Sequence, residues 1–311
     1  MPDTPFTAPL DLFSTPIQDY RCEIVTNIEC GRGLKRMRLH ALNAPFECAP
    51  GQFVMFDLPE SGFYFRRPFS VLLTEAPDCF DLYYKVVGSG TRIMADMTPG
   101  MHISCLGPLG KGFEPPTHPA TALYIGGGIG IAPVYFLAHR DFKKGHTPGF
   151  CFYGVRSQEE IGLADDLATV FGDEHLFLAT DDGSTGFHGN VVQRLALCDD
   201  IVNAAQEAYV CGPTRMMEAV CAHLYAVNPA LRIQVSLEEH MPCGTGACTG
   251  CVVARPHPLL PAKVCIEGPV FEADSILWRF PAPLGSTTAC KPSIIESKPI
   301  ACNEEGDSSC L

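Results

Sequence analysis

The chain has 311 residues, of which 46% are hydrophobic, and its formal net charge is −13. This length suffices for two or three domains, each with its own hydrophobic core. The negative charge argues against binding to a nucleic-acid backbone, which requires a clustered positive field. We therefore expect an ordinary globular protein without a nucleic-acid partner.

The first twenty residues, Met1 to Tyr20, contain neither a basic segment nor a continuous apolar segment, so they do not resemble a secretory signal. The expected location is therefore cytoplasmic. Sixteen cysteines are scattered along the chain, and without an export signal they are better interpreted as thiols or ligands than as disulfides.

Short apolar runs separated by turn residues fill residues 21 to 107. Such spacing predicts an antiparallel β-barrel or sandwich, which we assign to residues 15–112. The runs are CEIVTNIE, KRMRLHAL, GQFVMFDLP, FSVLLTE, FDLYYKVVG and MHISCLGP.

From about residue 120 the pattern changes to apolar strands that alternate with helical segments, which predicts a parallel α/β domain over residues 118–228. Residues Ala120 to Ala138 carry no charge and approach the length of a membrane span. Several glycines and Pro133 lie in their middle, as expected where a strand turns into a helix. We therefore predict no membrane span.

A cysteine-rich segment follows, in a third and smaller module over residues 229–280. Cys243, Cys248 and Cys251 have the spacing C-x4-C-x2-C, and Cys265 is available as a fourth ligand, which is the plant-type [2Fe-2S] pattern. Intervening glycines allow a short loop to wrap a cluster closely. A structural zinc site and a chance spacing are the alternatives, although zinc usually prefers paired C-x2-C motifs.

A glycine turn opens the α/β domain, with Gly126, Gly127, Gly128 and Gly130 between a strand and a helix. It lacks the ending of a P-loop, and Ile131 occupies the third glycine position of the dinucleotide fingerprint. Three other predicted strand ends belong to the same sheet, where ligands bind at the carboxyl ends of strands. Together they favour a nicotinamide nucleotide, and they are Tyr153 to Ser157, Thr180 to Gly183 and Cys211 to Pro213.

Two segments of the predicted barrel suggest a further ligand. Arg67, Phe69 and Ser70 place a cation, an aromatic ring and a hydroxyl in one extended segment, in which Arg67 and Phe69 share a face. Residues 88–91 (GSGT) offer backbone donors for an anionic group. Taken alone, each is a weak signal, since a surface arginine and an ordinary turn explain them as well.

In their order along the chain, these segments resemble the ferredoxin reductase superfamily, and within it the electron-transfer subunits of dihydroorotate dehydrogenase. The resemblance covers about residues 20 to 280, and the last two segments together carry it most specifically. Its segments are RRPFS, KVVGSGTR, LGPLGKGF, GGGIGIAP, CGPTRMM, EEHMPCGTGACTGC and VCIEGPVF.

The resemblance implies three domains: a six-stranded antiparallel β-barrel that binds FAD, a Rossmann-like parallel α/β domain that binds NADH, and a C-terminal [2Fe-2S] module. It places Arg67 at the flavin phosphate and Ser70 near the reactive ring nitrogen. Ser70 and Cys211 would be the residues at the reacting rings. The residues implied for FAD also include Pro68, Phe69, Lys85, Gly88, Gly90 and Thr91. Those implied for the nucleotide are Gly126, Gly127, Gly128, Gly130, Asp181, Cys211 and Gly212, and those for the cluster are Cys243, Cys248, Cys251 and Cys265.

The activity implied by the resemblance is electron transfer in pyrimidine biosynthesis between NAD and a separate catalytic subunit that contains FMN. Electrons would pass through FAD and the cluster, and the complex would be a heterotetramer with two copies of each subunit. Related small subunits of NADH-dependent ferredoxin:NADP oxidoreductase or sulfide dehydrogenase complexes are an alternative. A non-catalytic redox sensor or zinc-binding protein is another.

Two points stay open in the sequence. Arg156 and Ser157 suit the 2′-phosphate of NADP, whereas Asp181 and Asp182 oppose it, and on balance we expect NAD. Residues 281–311 exceed the usual family length and have a composition typical of disorder, although they contain Cys290, Cys302 and Cys310.

Overall fold

Six antiparallel strands form a closed barrel in the N-terminal third of the chain. A computed structural model of the protein describes residues 17–58, 62, 64–76 and 78–278. Alternation of buried and half-exposed side chains, clear in LKRMRLHA, marks these strands as walls around a core. The strands follow one another around the barrel in the order β1-β2-β5-β4-β3-β6, which confirms the predicted six-stranded barrel. They are β1 (Gln18–Gly31), β2 (Leu34–Ala41), β3 (Phe53–Asp57), β4 (Arg67–Ala76), β5 (Cys79–Lys85) and β6 (His102–Leu109), with helix α1 (Ser89–Asp96) between the last two.

A seven-stranded sheet forms the second layer of structure, and its strand order is β10-β9-β8-β7-β11-β12-β15. All neighbouring strands are parallel except β15, which runs antiparallel to β12. The strands are β7 (Leu123–Gly127), β8 (Phe150–Val155), β9 (Leu176–Thr180), β10 (Phe187–His188), β11 (Glu207–Cys211), β12 (Arg232–Ser236) and β15 (Val270–Glu272). The helices between them are α2 (Ile131–Lys143), α3 (Ala164–Phe171), α4 (Val191–Leu195), α5 (Asp199–Ala204) and α6 (Thr214–Val227).

The cysteine-rich segment is built on a short hairpin, β13 (Val252–Val253) and β14 (Ala262–Lys263), followed by the one-turn helix α7 (Val264–Glu267). Around these elements the chain is largely irregular, since close glycines and prolines disfavour longer elements.

The sheet extends further than the sequence predicted. We expected the third module to begin at residue 229, but β12 pairs in parallel with β11, and β15 adds the next strand. The physical reason is burial, because four of the five residues of β12 are buried, as is usual for a strand covered on both faces. A boundary at residue 229 therefore cuts through the sheet. The short helices α4 and α5 were also not expected separately.

The barrel packs directly against the α/β domain. Strand β4 contacts helix α2, and β5 contacts the glycine turn that precedes that helix. Two ion pairs cross the same boundary: Lys85 Nζ lies 2.7 Å from Glu160 Oε1, and Arg36 NH1 lies 3.1 Å from Asp166 Oδ1. Strand β4 and the helix that follows the glycine turn are thereby held against each other.

The uncharged stretch Ala120 to Ala138 forms strand β7, the glycine turn and the first part of α2. Within the described residues, every helix is too short or too polar to cross a membrane. The predicted tail, residues 281–311, lies outside the described part of the chain.

Candidate functional site

The RPFS segment forms the first four residues of β4, and all four are half-buried. Phe69 packs between Phe56 and Tyr84, with ring centroids 5.8 Å and 6.0 Å away. One guanidinium nitrogen of Arg67 lies 3.5 Å from the carbonyl oxygen of Phe65. The barrel thus fixes this segment from one side while leaving it partly accessible, which suits a ligand that lies along the strand.

The GSGT segment forms the N-terminus of helix α1. Thr91 Oγ1 accepts hydrogen bonds from the amides of Val87 and Gly88, at 2.9 Å and 3.1 Å. The same hydroxyl donates to the carbonyl oxygen of Gly88. A Cβ at Gly88 would meet no atom within 4 Å, whereas Gly90 is buried. Thr91 therefore shapes the turn, and the amides of the first helical turn, which lack intrahelical acceptors, would suit an anion.

Lys85 has a partner that the sequence did not indicate. Its ammonium forms the ion pair with Glu160, and the two side chains are 27% and 19% exposed. Lys85 therefore forms an ion pair at the boundary between the barrel and the α/β domain.

The glycine turn and the Cys211–Gly212 loop touch each other at the carboxyl edge of the sheet. Gly126 and Cys211 are register partners on neighbouring strands. A Cβ at Gly130 would lie 2.6 Å from the carbonyl oxygen of Cys211, and one at Gly127 would collide with Met216. Gly130 thus requires glycine because backbone approaches it closely, whereas at Gly127 the neighbour is the end of the Met216 side chain. The sequence predicted this convergence from the rule for strand ends.

Cys211 is a neutral thiol at ordinary pH. Burial raises its pKa to about 12, and hydrogen bonds with Ser236 and the Gly212 backbone only partly oppose this effect. The nearby Glu238 carboxylate raises the pKa further. Glu238 was not singled out in the sequence, although placing RIQVS in the sheet would have put it at the same strand edge.

Asp181 and Asp182 directly follow β9. Their amides donate to the carbonyl oxygens of Val155 and Arg156, each over 3.1 Å. Asp182 Oδ1 accepts hydrogen bonds from the hydroxyl and amide of Ser184, which lower the pKa of its carboxyl group. The acidic pair thus lies beside the end of β8, where Arg156 and Ser157 are also found, as the sequence analysis assumed.

The four cysteines of the C-terminal module form two contacting pairs. The amide of Cys248 lies 3.5 Å from Cys243 Sγ, and the amide of Cys265 lies 3.4 Å from Cys251 Sγ. The amide of Gly250 also points to Cys248 Sγ, at 3.4 Å. Amide donors around sulfur are the interactions that tune iron–sulfur clusters.

The electrostatics of the two pairs differ. Burial by itself raises the pKa of Cys243, but hydrogen bonds from Cys248 and Thr245 outweigh it and lower the pKa to about 6. Burial and the neighbouring Cys251 raise the pKa of Cys265 to about 12. Cys243 is therefore already biased towards the thiolate form that a metal requires, whereas Cys265 depends on the metal for deprotonation.

The loop between Cys243 and Cys248 is tightly packed and has no space for a side chain at two of its glycines. Gly244 and Gly246 have φ angles of +72° and +78°, and added Cβ atoms would collide with Met55 and Ile266 respectively. Within the described ranges, no group of three or more His, Cys, Asp or Glu side chains is arranged to hold a single metal ion. A [2Fe-2S] cluster divides four ligands between two irons, so the observed pairs match its needs.

Strand β3 contacts both the cysteine loop (residues 243–248) and the RPFS segment. The loop packs on the Met55 side chain through Gly244. Along the hydrogen-bonded edge of β3, Met55 is the register partner of Pro68, and Phe53 is that of Ser70. A group bound along β4 and a cluster bound in the loop would thus both adjoin strand β3.

Two parts of the chain match known protein families. Residues 238–277 match the iron-sulfur cluster binding domain of dihydroorotate dehydrogenase B, and residues 124–222 match the oxidoreductase NAD-binding domain. The first match contains all four cysteines.

Several known electron transfer subunits of dihydroorotate dehydrogenase B align with most of the chain. The dihydroorotate dehydrogenase B (NAD(+)) electron transfer subunit of Enterococcus faecalis is 37% identical over 234 residues, which are 73% of this chain and 86% of that protein. The corresponding subunit of Listeria monocytogenes is 37% identical over 267 residues, or 84% of this chain and 95% of that protein.

Among solved structures, a chain of the NADH-dependent reduced ferredoxin-NADP oxidoreductase superposes with a TM-score of 0.70 at 29% identity, covering 82% of this chain and 89% of its own. The ferredoxin reductase of carbazole 1,9a-dioxygenase superposes with a TM-score of 0.61 at 21% identity, over 71% of this chain and 70% of its own. The second likeness concerns the fold alone.

Proposed function

Since this chain belongs to the family of electron-transfer subunits of dihydroorotate dehydrogenase B, we propose that it carries electrons between NAD and a separate catalytic subunit. Three bound groups serve this function: NAD on the α/β domain, FAD on the barrel and a [2Fe-2S] cluster in the cysteine loop. FAD supplies the conversion between the two-electron chemistry of the nicotinamide and the one-electron chemistry of the cluster.

The residues proposed for FAD lie along β4 and at the start of α1. Arg67 binds a phosphate, Phe69 lines the ring site from its place between Phe56 and Tyr84, and Ser70 donates to or accepts from the flavin ring. Gly88, Gly90 and Thr91 form the pyrophosphate site, with the amides of Gly90 and Thr91 as donors and with open space at Gly88. Lys85 supports this site indirectly, because its ammonium joins β5 to Glu160.

The residues proposed for NAD lie at the carboxyl edge of the sheet. The turn from Gly126 to Gly130 approaches the phosphates, and the Cys211–Gly212 loop lies against the nicotinamide. As a neutral thiol, Cys211 positions the ring and excludes water without acting as a base. Asp181 favours NAD over NADP, since a carboxylate repels a 2′-phosphate.

The observation that carries this proposal is that the cysteine loop and the RPFS segment both contact strand β3. Together with the packing of β4 on α2, it supports an order of sites along the chain of transfer: nucleotide, flavin, cluster. A cluster at the far end of that order is suited to meet a redox partner.

The proposed partner is the catalytic subunit that contains FMN and oxidises dihydroorotate, assembled as two copies of each subunit. No residue in this chain is assigned to pyrimidine chemistry. The chain alone is therefore expected to oxidise NADH with artificial acceptors and to leave dihydroorotate unchanged.

The test is anaerobic addition of NADH to the purified chain, followed by visible absorption and low-temperature EPR spectra. We expect bleaching of the flavin together with a reduced [2Fe-2S] signal. A colourless, zinc-containing preparation that takes up no flavin on reconstitution would refute the proposal. Copurification with a dihydroorotate-oxidising subunit, as opposed to a ferredoxin:NADP partner, tests the choice of partner.

A further inference from the structure

Lys263 reaches across the cysteine loop. Its Nζ donates a hydrogen bond to the carbonyl oxygen of Gly246 over 3.0 Å, and its side chain is half-buried. Ile266 packs against the same glycine, since a Cβ at Gly246 would collide with its side chain. Gly246 is thereby held from two sides, midway between Cys243 and Cys248.

The backbone of Lys263 is equally fixed. It is the register partner of Val252, which directly follows Cys251, and it lies two residues before Cys265. Its amide donates to Glu267 Oε2 over 2.6 Å. Lys263 therefore contacts each of the three segments that carry the four cysteines.

This position places a positive charge beside a negatively charged group. Four thiolates give a [2Fe-2S] cluster a net negative charge, and reduction adds one more. An ammonium nearby stabilises the reduced form more than the oxidised form, and half-burial weakens the screening by water and salt. Glu267 has the opposite charge but is exposed to solvent.

We propose that Lys263 is a positioning residue that raises the reduction potential of the cluster while it holds the cysteine loop closed. This inference rests on the proposed function, because it requires a cluster bound by the four cysteines. It adds a residue outside the cysteine pattern that sets how readily the cluster accepts an electron.

The test uses the full-length chain, reconstituted anaerobically with FAD, iron and sulfide. EPR-monitored redox titration gives the cluster midpoint potential for the wild type, Lys263→Met, Lys263→Gln and Lys263→Arg. Glutamine keeps a donor for the Gly246 carbonyl without the charge, and arginine keeps the charge. Lys35→Gln is the matched control, because Lys35 Nζ also donates to a backbone carbonyl, that of Ala95 at 2.8 Å, from strand β2 opposite β3 in the barrel order.

We expect both uncharged variants to shift the reduction equilibrium about tenfold towards the oxidised cluster, which is ~59 mV for a one-electron couple. Lys263→Arg and Lys35→Gln are expected to keep the wild-type potential. If methionine prevents cluster loading, the glutamine variant decides.

A loaded Lys263→Gln variant with the wild-type potential would overturn the inference, and so would an arginine variant that shifts as far as glutamine. Neither result would affect the proposed function. A wild-type chain that binds no cluster, judged from iron and sulfide content, would overturn both.

Discussion

Glycines in the cysteine loop show how single residues decide whether a cofactor fits. Gly246 combines a φ of +78° with a site that a Cβ cannot enter, because Ile266 already fills it. Gly33 has a similar φ of +67°, yet a Cβ there would meet nothing within 4 Å. The two positions therefore separate the cost of backbone strain from the cost of lost space.

Gly246→Ala is expected to reduce cluster loading while FAD binding is kept, because the new Cβ adds left-handed backbone strain and displaces the Ile266 side chain from the loop. Iron content and the visible spectrum measure the two cofactors separately. Gly33→Ala is the control, with an expected stability loss of about 1 kcal/mol from strain alone and full cluster loading. A Gly246→Ala variant that binds the full amount of cluster would show that the loop tolerates a side chain at this position.

Strand β5 and the one-turn helix Gln158–Glu160 show how elements from different domains are joined. Lys85 ends the strand, Glu160 ends the helical turn, and their ion pair is partly shielded from water. Such a pair contributes more than a fully exposed one, since screening is weaker. The lysine thereby supports the flavin site through the position of β5.

The Lys85–Glu160 pair is tested by a double-mutant cycle with Lys85→Met and Glu160→Gln. We expect a coupling free energy of about 1 kcal/mol in unfolding experiments. Both single variants are expected to change the FAD dissociation constant alike and by less than about threefold. If only Lys85→Met weakened FAD binding, by about tenfold or more, the lysine would contact the cofactor directly.

At the scale of the whole molecule, several cysteine thiols and tyrosine hydroxyls are buried. Burial raises the pKa of Cys30 to about 11 and that of Cys221 and Tyr84 to about 12. These groups stay protonated in the folded chain at pH values where the unfolded chain loses the protons. The contribution of a buried, protonated thiol to the free energy of unfolding is fully present below the ordinary thiol pKa of 9.0. It is lost as the pH rises towards 12.

The free energy of unfolding is therefore expected to fall as the pH rises above about pH 9. Urea unfolding under reducing, anaerobic conditions, followed by circular dichroism, measures it. Cys221→Ala removes one such proton and is expected to reduce the alkaline slope by up to about 1.4 kcal/mol per pH unit. A stability that does not fall between pH 9 and pH 11 would contradict this account.

Much of the architecture could be predicted from local patterns. The six barrel strands follow from apolar runs between turn residues, and β7, β8 and α2 follow from the change to alternating strands and helices. The contact between the glycine turn and Cys211 follows from strand order in a parallel sheet. The partner of Lys85 does not follow, because Glu160 is 75 residues away and only domain packing brings it near.

The sequence by itself determined the cysteine spacing, the glycine turn and the RPFS segment, since each depends on residues close together in the chain. Only the tertiary structure shows that β12 and β15 extend the nucleotide sheet. Strands pair with segments that are distant in sequence, and burial of their side chains determines which strands pair. The tertiary structure also decided that the cysteine loop and RPFS both contact β3 and that Lys263 lies against Gly246. These relations join segments distant in sequence, and packing between domains is what places them.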